Sequence, residues 1–156
     1  MLNFRFLQLF FHIFQYWIMP NTNNQTTSYN HGLADLISTI KTLRGKEGCP
    51  WDKRQTSNSL LKYLKSECQE LVIAIENRDQ NNICEELGDL LYLIVMISEI
   101  HHEQKNFQLS DVIRTVNEKL IRRHPHVFAG QPYENEEQLA AQWQAIKAEE
   151  KKKNTV

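Results

Sequence analysis

Four acids occupy positions where a helix should be apolar. Glu67 and Glu70 are spaced i, i+3, and so are Glu86 and Asp89. At about 100° per residue, Leu60, Leu64, Leu71 and Ile75 fall within roughly 60° of one another, and Glu67 falls in the same stripe with Glu70 at its edge. Downstream, Glu86 lies between Leu93 and Ile97, with Asp89 at the border near Met96. An ionised carboxylate alone in an apolar interior costs on the order of several kcal/mol, and several together raise one another's pKa. A divalent cation removes both penalties. Oxygen donors without Cys or His favour Mg²⁺ or Mn²⁺ over zinc. Magnesium completes its shell with water and phosphate oxygens, which points to phosphoryl chemistry. The competing account is structural, since E-x-x-E spacings are common on exposed, salt-bridged helices. Two pairs on two apolar faces weigh against it.

A basic counterpart lies further on. Lys119, Arg122 and Arg123 recur at i, i+3 and i+4 and project from one side of a helix. Alone, they read as favourable charge at a helix C-terminus. Facing an acidic metal site they suit a triphosphate, because Arg binds phosphate bidentately and Lys as a point charge. The loop Cys49–Pro50–Trp51–Asp52–Lys53 adds an aromatic and another cation. Trp51 either stacks on a base or anchors the loop, and the sequence leaves both open. His124 and His126, flanking Pro125, read as structural.

The elements that must position these residues are helical. Leu33, Leu36, Ile37, Ile40 and Leu43 follow amphipathic spacing until Gly45, Gly48 and Pro50 break it. A second helix opens at the Ser57–Asn58–Ser59 cluster and runs to about Asn77, and the polar run Asn77 to Asn82 is a turn. A third, from about Ile83 to His102, is apolar nearly all round and should be buried in a bundle or at a subunit contact. Ser110 or Asp111 should cap a fourth that ends before Pro125. His124 to Glu137 reads as loop, followed by a short helix with Leu139, Trp143 and Ile146. No strand-period segment or internal repeat appears, so the expected fold is all-α, resembling a four-helix bundle.

Composition sets outer bounds. A chain of 156 residues suits one domain, taken as residues 31–150 between a leader, 1–30, and a charged tail, 151–156. Eighteen basic against nineteen acidic residues leave a net charge of −1, which argues against polymeric nucleic acid as a partner. Cys49, Cys68 and Cys84 are odd in number without C-x-x-C spacing, which fits a reducing cytoplasm. Cys68 and Cys84 are expected as small buried apolar groups. The first eighteen residues are aromatic and apolar, but Gln8, His12 and Gln15 interrupt them and no cleavage site follows. Met19 as the native start is preferred to a membrane anchor, with Asn21 to Asn30 as a disordered leader, and no membrane partner is expected.

Three motifs in this order, G-C-P-W-D-x-x-Q-T (Gly48 to Thr56), the acids of S-E-x-x-E and E-L-G-D-L-L, and K-L-I-R-R-H-P-H-V-F (Lys119 to Phe128), resemble the MazG nucleoside triphosphate pyrophosphohydrolases. The resemblance covers about Leu33 to Glu150 and is nearest to the first module of two-module members. It implies an all-α, usually dimeric enzyme that takes a nucleoside triphosphate and splits it between the α and β phosphates. Its metal ligands fall on Glu67, Glu70, Glu86 and Asp89, its phosphate-binding cations on Lys119, Arg122 and Arg123, and a nucleotide-contacting tryptophan on Trp143. The implied reaction is an in-line attack of water assisted by Mg²⁺ or Mn²⁺. Trp51 and Lys53 join the expected substrate contacts. One position departs: the signature E-E-x-x-E has Ser66 in place of its first glutamate. That substitution makes a nucleotide sensor with weak turnover the main alternative. A di-iron bundle is a further one, but it needs E-x-x-H on two helices. The lone candidate, Glu99 with His102, lies about 20 Å along its helix from Glu86.

Overall fold

The computed structural model describes residues 25–153, with side chains from residue 31 to residue 152. Every element among them is helical: α1 (Gln25–Arg44), α2 (Pro50–Arg54), α3 (Ser57–Asn77), α4 (Gln80–Glu103), α5 (Leu109–Arg123), α6 (Pro125–Phe128) and α7 (Glu136–Lys153). The apolar segment at residues 1–18 lies outside the described residues. The chain divides into two compact units between Lys53 and Arg54.

In the first unit the expected stripe of α1 is inward: Ile40 is fully buried, and Leu33, Leu36, Ile37 and Leu43 are half-buried. The helix begins at Gln25, so the polar stretch expected to be disordered up to Asn30 is helical in its second half. Extending an existing helix costs little even for such residues. Past Arg44 the backbone folds over the end of α1, with Cys49 N–H donating to the Leu43 carbonyl at 2.8 Å. Gly48 is required there, because a Cβ would collide with the Leu43 and Thr42 carbonyl oxygens. The turn leads into the single turn of α2.

In the second unit α3 and α4 form the principal helix pair. Thr56 caps α3 in a reciprocal box: its hydroxyl accepts from Ser59 N–H at 3.1 Å, and Ser59 Oγ accepts from Thr56 N–H at 3.0 Å. The cap falls one residue before the expected Ser cluster. Arg78, in the left-handed conformation at φ 57°, ends α3. Asp79 then caps α4, its Oδ1 accepting from Asn81 and Asn82 N–H at 3.2 Å. The turn is therefore two residues long, and the polar run Gln80–Asn82 is the first turn of α4.

The inward stripe of α3 runs from buried Leu60 through half-buried Leu64, Glu67 and Leu71 to buried Ala74, whereas Ile75 is 54% exposed. A 3.6-residue period carries the stripe to Ala74 and turns Ile75 away. On α4, Glu86, Leu93, Met96 and Ile100 are buried, while Leu87, Leu91 and Ile94 are exposed in the single chain. Cys68 and Cys84 are exposed, contrary to their expected burial, because each sits off the inward stripe of its helix.

Helix α4 also contacts α5, and α5 contacts α6 and α7. The N-cap position of α5 is Gln108 rather than Ser110 or Asp111. Asp111 acts from inside the helix, its Oδ2 accepting from Gln108 N–H at 3.1 Å. The segment after Pro125, expected as loop, contains α6, with proline at its first position. Helix α7 is longer than expected and carries Lys151–Lys153 in its last turn, where positive charge is favoured. None of the described helices is long and apolar enough to cross a membrane.

Candidate metal centre and basic cluster

Glu67 and Glu70 come from successive turns of α3, and Glu86 from the second turn of α4. Oxygens of these three carboxylates lie within 4.8 Å of one another. Glu86 is the unusual member. It is 6% exposed, and its Oε2 is buried without a hydrogen-bond partner. Burial, then the charges of Glu70 and Glu67, a hydrogen bond with Glu67 and the charge of Asp89 hold its carboxyl above the ordinary carboxylate range. Asp89 is exposed, one turn further along α4, and lies outside the group of three. Only carboxylate oxygens converge here, and one of them is buried and unsatisfied. Such a donor set fits a hard divalent cation.

Ser66 lies on the exposed side of α3, yet it is not idle. Its Oγ donates to Glu70 Oε1 at 2.8 Å. The family resemblance marks Ser66 as the loss of an acid. The contact it makes is the ordinary i, i+4 neighbour relation on a helix.

The basic residues gather at a different helix junction. Arg122 Nε and Nη2 reach Glu150 Oε1 at 2.7 and 2.6 Å, and Arg123 Nε and Nη2 reach Glu150 Oε2 at 3.0 and 2.6 Å. These two guanidinium groups hold the Glu150 carboxyl below its ordinary range, Arg123 contributing most. Trp143 joins them: the Arg123 guanidinium lies 5.5 Å and the Lys147 ammonium 4.3 Å from its ring centroid. Lys119, half-buried, is one turn earlier on α5. Glu150 could not be found from sequence, because its partners are 27 and 28 residues away and no periodicity links them.

In the first unit Trp51 is 39% exposed, and Lys53 donates from its ammonium to the Lys46 carbonyl at 2.6 Å. The alternative iron pair, Glu99 and His102, face each other at 3.4 Å on one helix. They join no larger group of metal-binding side chains among the described residues.

Residues 55–128 match the family model of the MazG nucleotide pyrophosphohydrolase domain. That span contains all four acids with Lys119, Arg122 and Arg123, and leaves out Trp51, Lys53 and Trp143. The chain is 48% identical over 119 residues to the nucleoside triphosphate pyrophosphohydrolase/pyrophosphatase MazG of Thermotoga maritima, covering 76% of this chain and 45% of the relative. It is 39% identical over 117 residues to the nucleoside triphosphate pyrophosphohydrolase of Escherichia coli K12, covering 74% and 44%. It thus spans less than half the length of these two relatives. Among solved structures, a MazG-related protein from Thermotoga maritima superposes with a TM-score of 0.62 at 28% identity, over 76% of this chain and 98% of that one. Fold and cluster define an all-helical protein with a convergent group of carboxylates on two paired helices. Within that class, the chain belongs to the MazG family.

Proposed function

We propose that this chain is a divalent-metal-dependent nucleoside triphosphate pyrophosphohydrolase, with residues 31–150 as its working domain. The observation that carries the reading is Glu86, a buried carboxylate with an unsatisfied oxygen set against Glu67 and Glu70. Asp89, whose charge Glu86 already feels, completes the proposed ligand set. When bound, the cation (Mg²⁺, with Mn²⁺ as the alternative) polarises the phosphates and makes a water more acidic.

The chain's own residues then bind and orient. Water oxygen bonds to the α-phosphorus as the bond to the α–β bridging oxygen breaks, giving nucleoside monophosphate, pyrophosphate and a proton. Lys119, Arg122 and Arg123 offset charge on the departing pyrophosphate. Each guanidinium has five N–H donors and commits only its Nε and Nη2 edge to Glu150. Trp143, beside Arg123, is read as a nucleotide contact. The setting is a reducing cytoplasm.

A homodimer belongs to the same proposal. Leu61, Val72, Ile73 and Ile75 on α3 and Leu87, Leu91 and Ile94 on α4 are 43–54% exposed, and apolar exposure on this scale is characteristic of interaction surfaces.

Incubation of the protein with each ribo- and deoxyribonucleoside triphosphate and Mg²⁺ tests the reading. Monophosphate plus pyrophosphate is the expected product pair. Diphosphate plus phosphate would refute the cleavage position, and saturable binding without turnover would favour the sensor alternative.

A further inference from the structure

A hydroxyl that stands in for an acid acquires a definite task in this chain. A serine inside a helix ordinarily faces solvent or donates a hydrogen bond to the carbonyl one turn back. Ser66 instead donates to Glu70 Oε1 at 2.8 Å. Glu70 is exposed and on the rim of the cluster, so packing does little to hold its rotamers. The buried member, Glu86, needs no such help, because its surroundings already confine it. One donor at Oε1 leaves Glu70 enough acceptor capacity for a cation, since a carboxylate offers about four lone-pair sites. The donor is also neutral. A carboxylate at position 66 would add charge to a group whose members already repel; the hydroxyl orients Glu70 and adds none.

From this geometry we infer that Ser66 is a positioning residue that sets divalent-cation affinity by fixing the Glu70 carboxylate. The inference rests on the acids being a cation site. Hydrogen-bonding partners of this kind typically account for 10–100-fold in metal affinity. At an exposed helix position alanine is the better helix former, so Ser66→Ala should leave the fold as stable as before or slightly more so. A purely structural role for the hydroxyl would predict the opposite.

The experiment is Mn²⁺ binding to the full chain stripped of metal, followed by electron paramagnetic resonance of the free ion, for wild type, Ser66→Ala, Ser66→Thr and Glu86→Gln, with thermal melts in chelator. Ser66→Ala should bind Mn²⁺ roughly tenfold more weakly without losing thermal stability, and Ser66→Thr, which keeps the hydroxyl, should bind within about twofold of wild type. Unchanged affinity in Ser66→Ala, or a loss that Thr does not restore, overturns the inference. Wild type and Glu86→Gln separate the failure of the cation site itself: if neither binds Mn²⁺, or both bind alike, the site is wrong and the role of Ser66 falls with it.

Discussion

At Glu86 burial and charge act against each other. The side chain is nearly enclosed, yet it faces two like-charged neighbours and one of its oxygens lacks a donor. Such a residue is costly to the empty protein and useful only when a cation joins it. Glu86→Gln should therefore melt at a higher temperature than wild type in chelator, because the amide removes the repulsion and can donate to Glu67. It should also lose at least about a hundredfold in turnover, by analogy with the loss of other transition-state-stabilising groups. Product release and calorimetry on one preparation check both arms. Glu67→Ala and Asp89→Ala should likewise abolish turnover with the helical circular dichroism intact. Retained activity in either would remove that residue from the site. The Asp89 result is the more informative, since Asp89 is exposed and outside the group of three. Glu67 and Glu86 stand out in the sequence because helical periodicity places them among apolar neighbours, whereas Glu70 falls at the edge of its stripe. The bond from Ser66 to Glu70 was not, because a spacing allows such a contact without choosing the rotamer that makes it.

Among the elements, the short helix α6 carries a titratable group with consequences for stability. His126 has its Nδ1 buried without a partner and meets the Tyr133 ring edge-on at 5.5 Å. Burial, and then the neighbouring His124, hold its pKa below the ordinary histidine value of 6.5. The unfolded chain therefore takes up a proton that the folded chain resists, so stability falls as pH drops below about 6.5 and until the lowered folded pKa is passed. Denaturant unfolding at pH 7 and pH 5.5 should show wild type losing stability over this interval. His126→Phe should lose distinctly less, and an identical loss in both proteins would refute the assignment. The segment reads as loop from sequence because Pro125, Gly130 and Pro132 interrupt any helical period. Its helical turn forms because Pro125 sits at a first-turn position, where its missing N–H costs nothing. Helix α7 also outruns its expected length, and Glu150 near its end joins Arg122 and Arg123 of α5.

On the scale of the whole molecule, the exposed apolar side chains of α3 and α4 call for cover. A helix such as α4, apolar nearly all round, belongs inside a bundle or at a subunit contact, and in the single chain Leu87, Leu91 and Ile94 remain outside. Burying such side chains is worth about 25 cal/mol per Å², which favours association of two copies through this face. Ile94→Asp places a charge there, two turns beyond Glu86 and away from the acids. Size-exclusion chromatography with light scattering should find wild type as a dimer and Ile94→Asp as a monomer or weakened dimer at micromolar concentration. A wild-type monomer, or an undisturbed Ile94→Asp dimer, would refute this face as the interface.

Much of this protein was determined by sequence alone. The all-helical class and the inward stripes of α1, α3 and α4 follow from apolar periodicity, which is local and therefore readable. The conflict of Glu67 and Glu86 with those stripes follows in the same way, and the long motifs identified the family. Tertiary structure decided what depends on partners far apart in the chain. It brought Glu67 and Glu70 of α3 to Glu86 of α4, left Asp89 on the rim, and set Glu150 between two arginines with Trp143 beside them. It turned Cys68, Cys84 and Ile75 outward, where helical periodicity had placed them on apolar faces. Periodicity reports which side of a helix is apolar; which charged groups meet across helices depends on packing and rotamers that no single segment encodes.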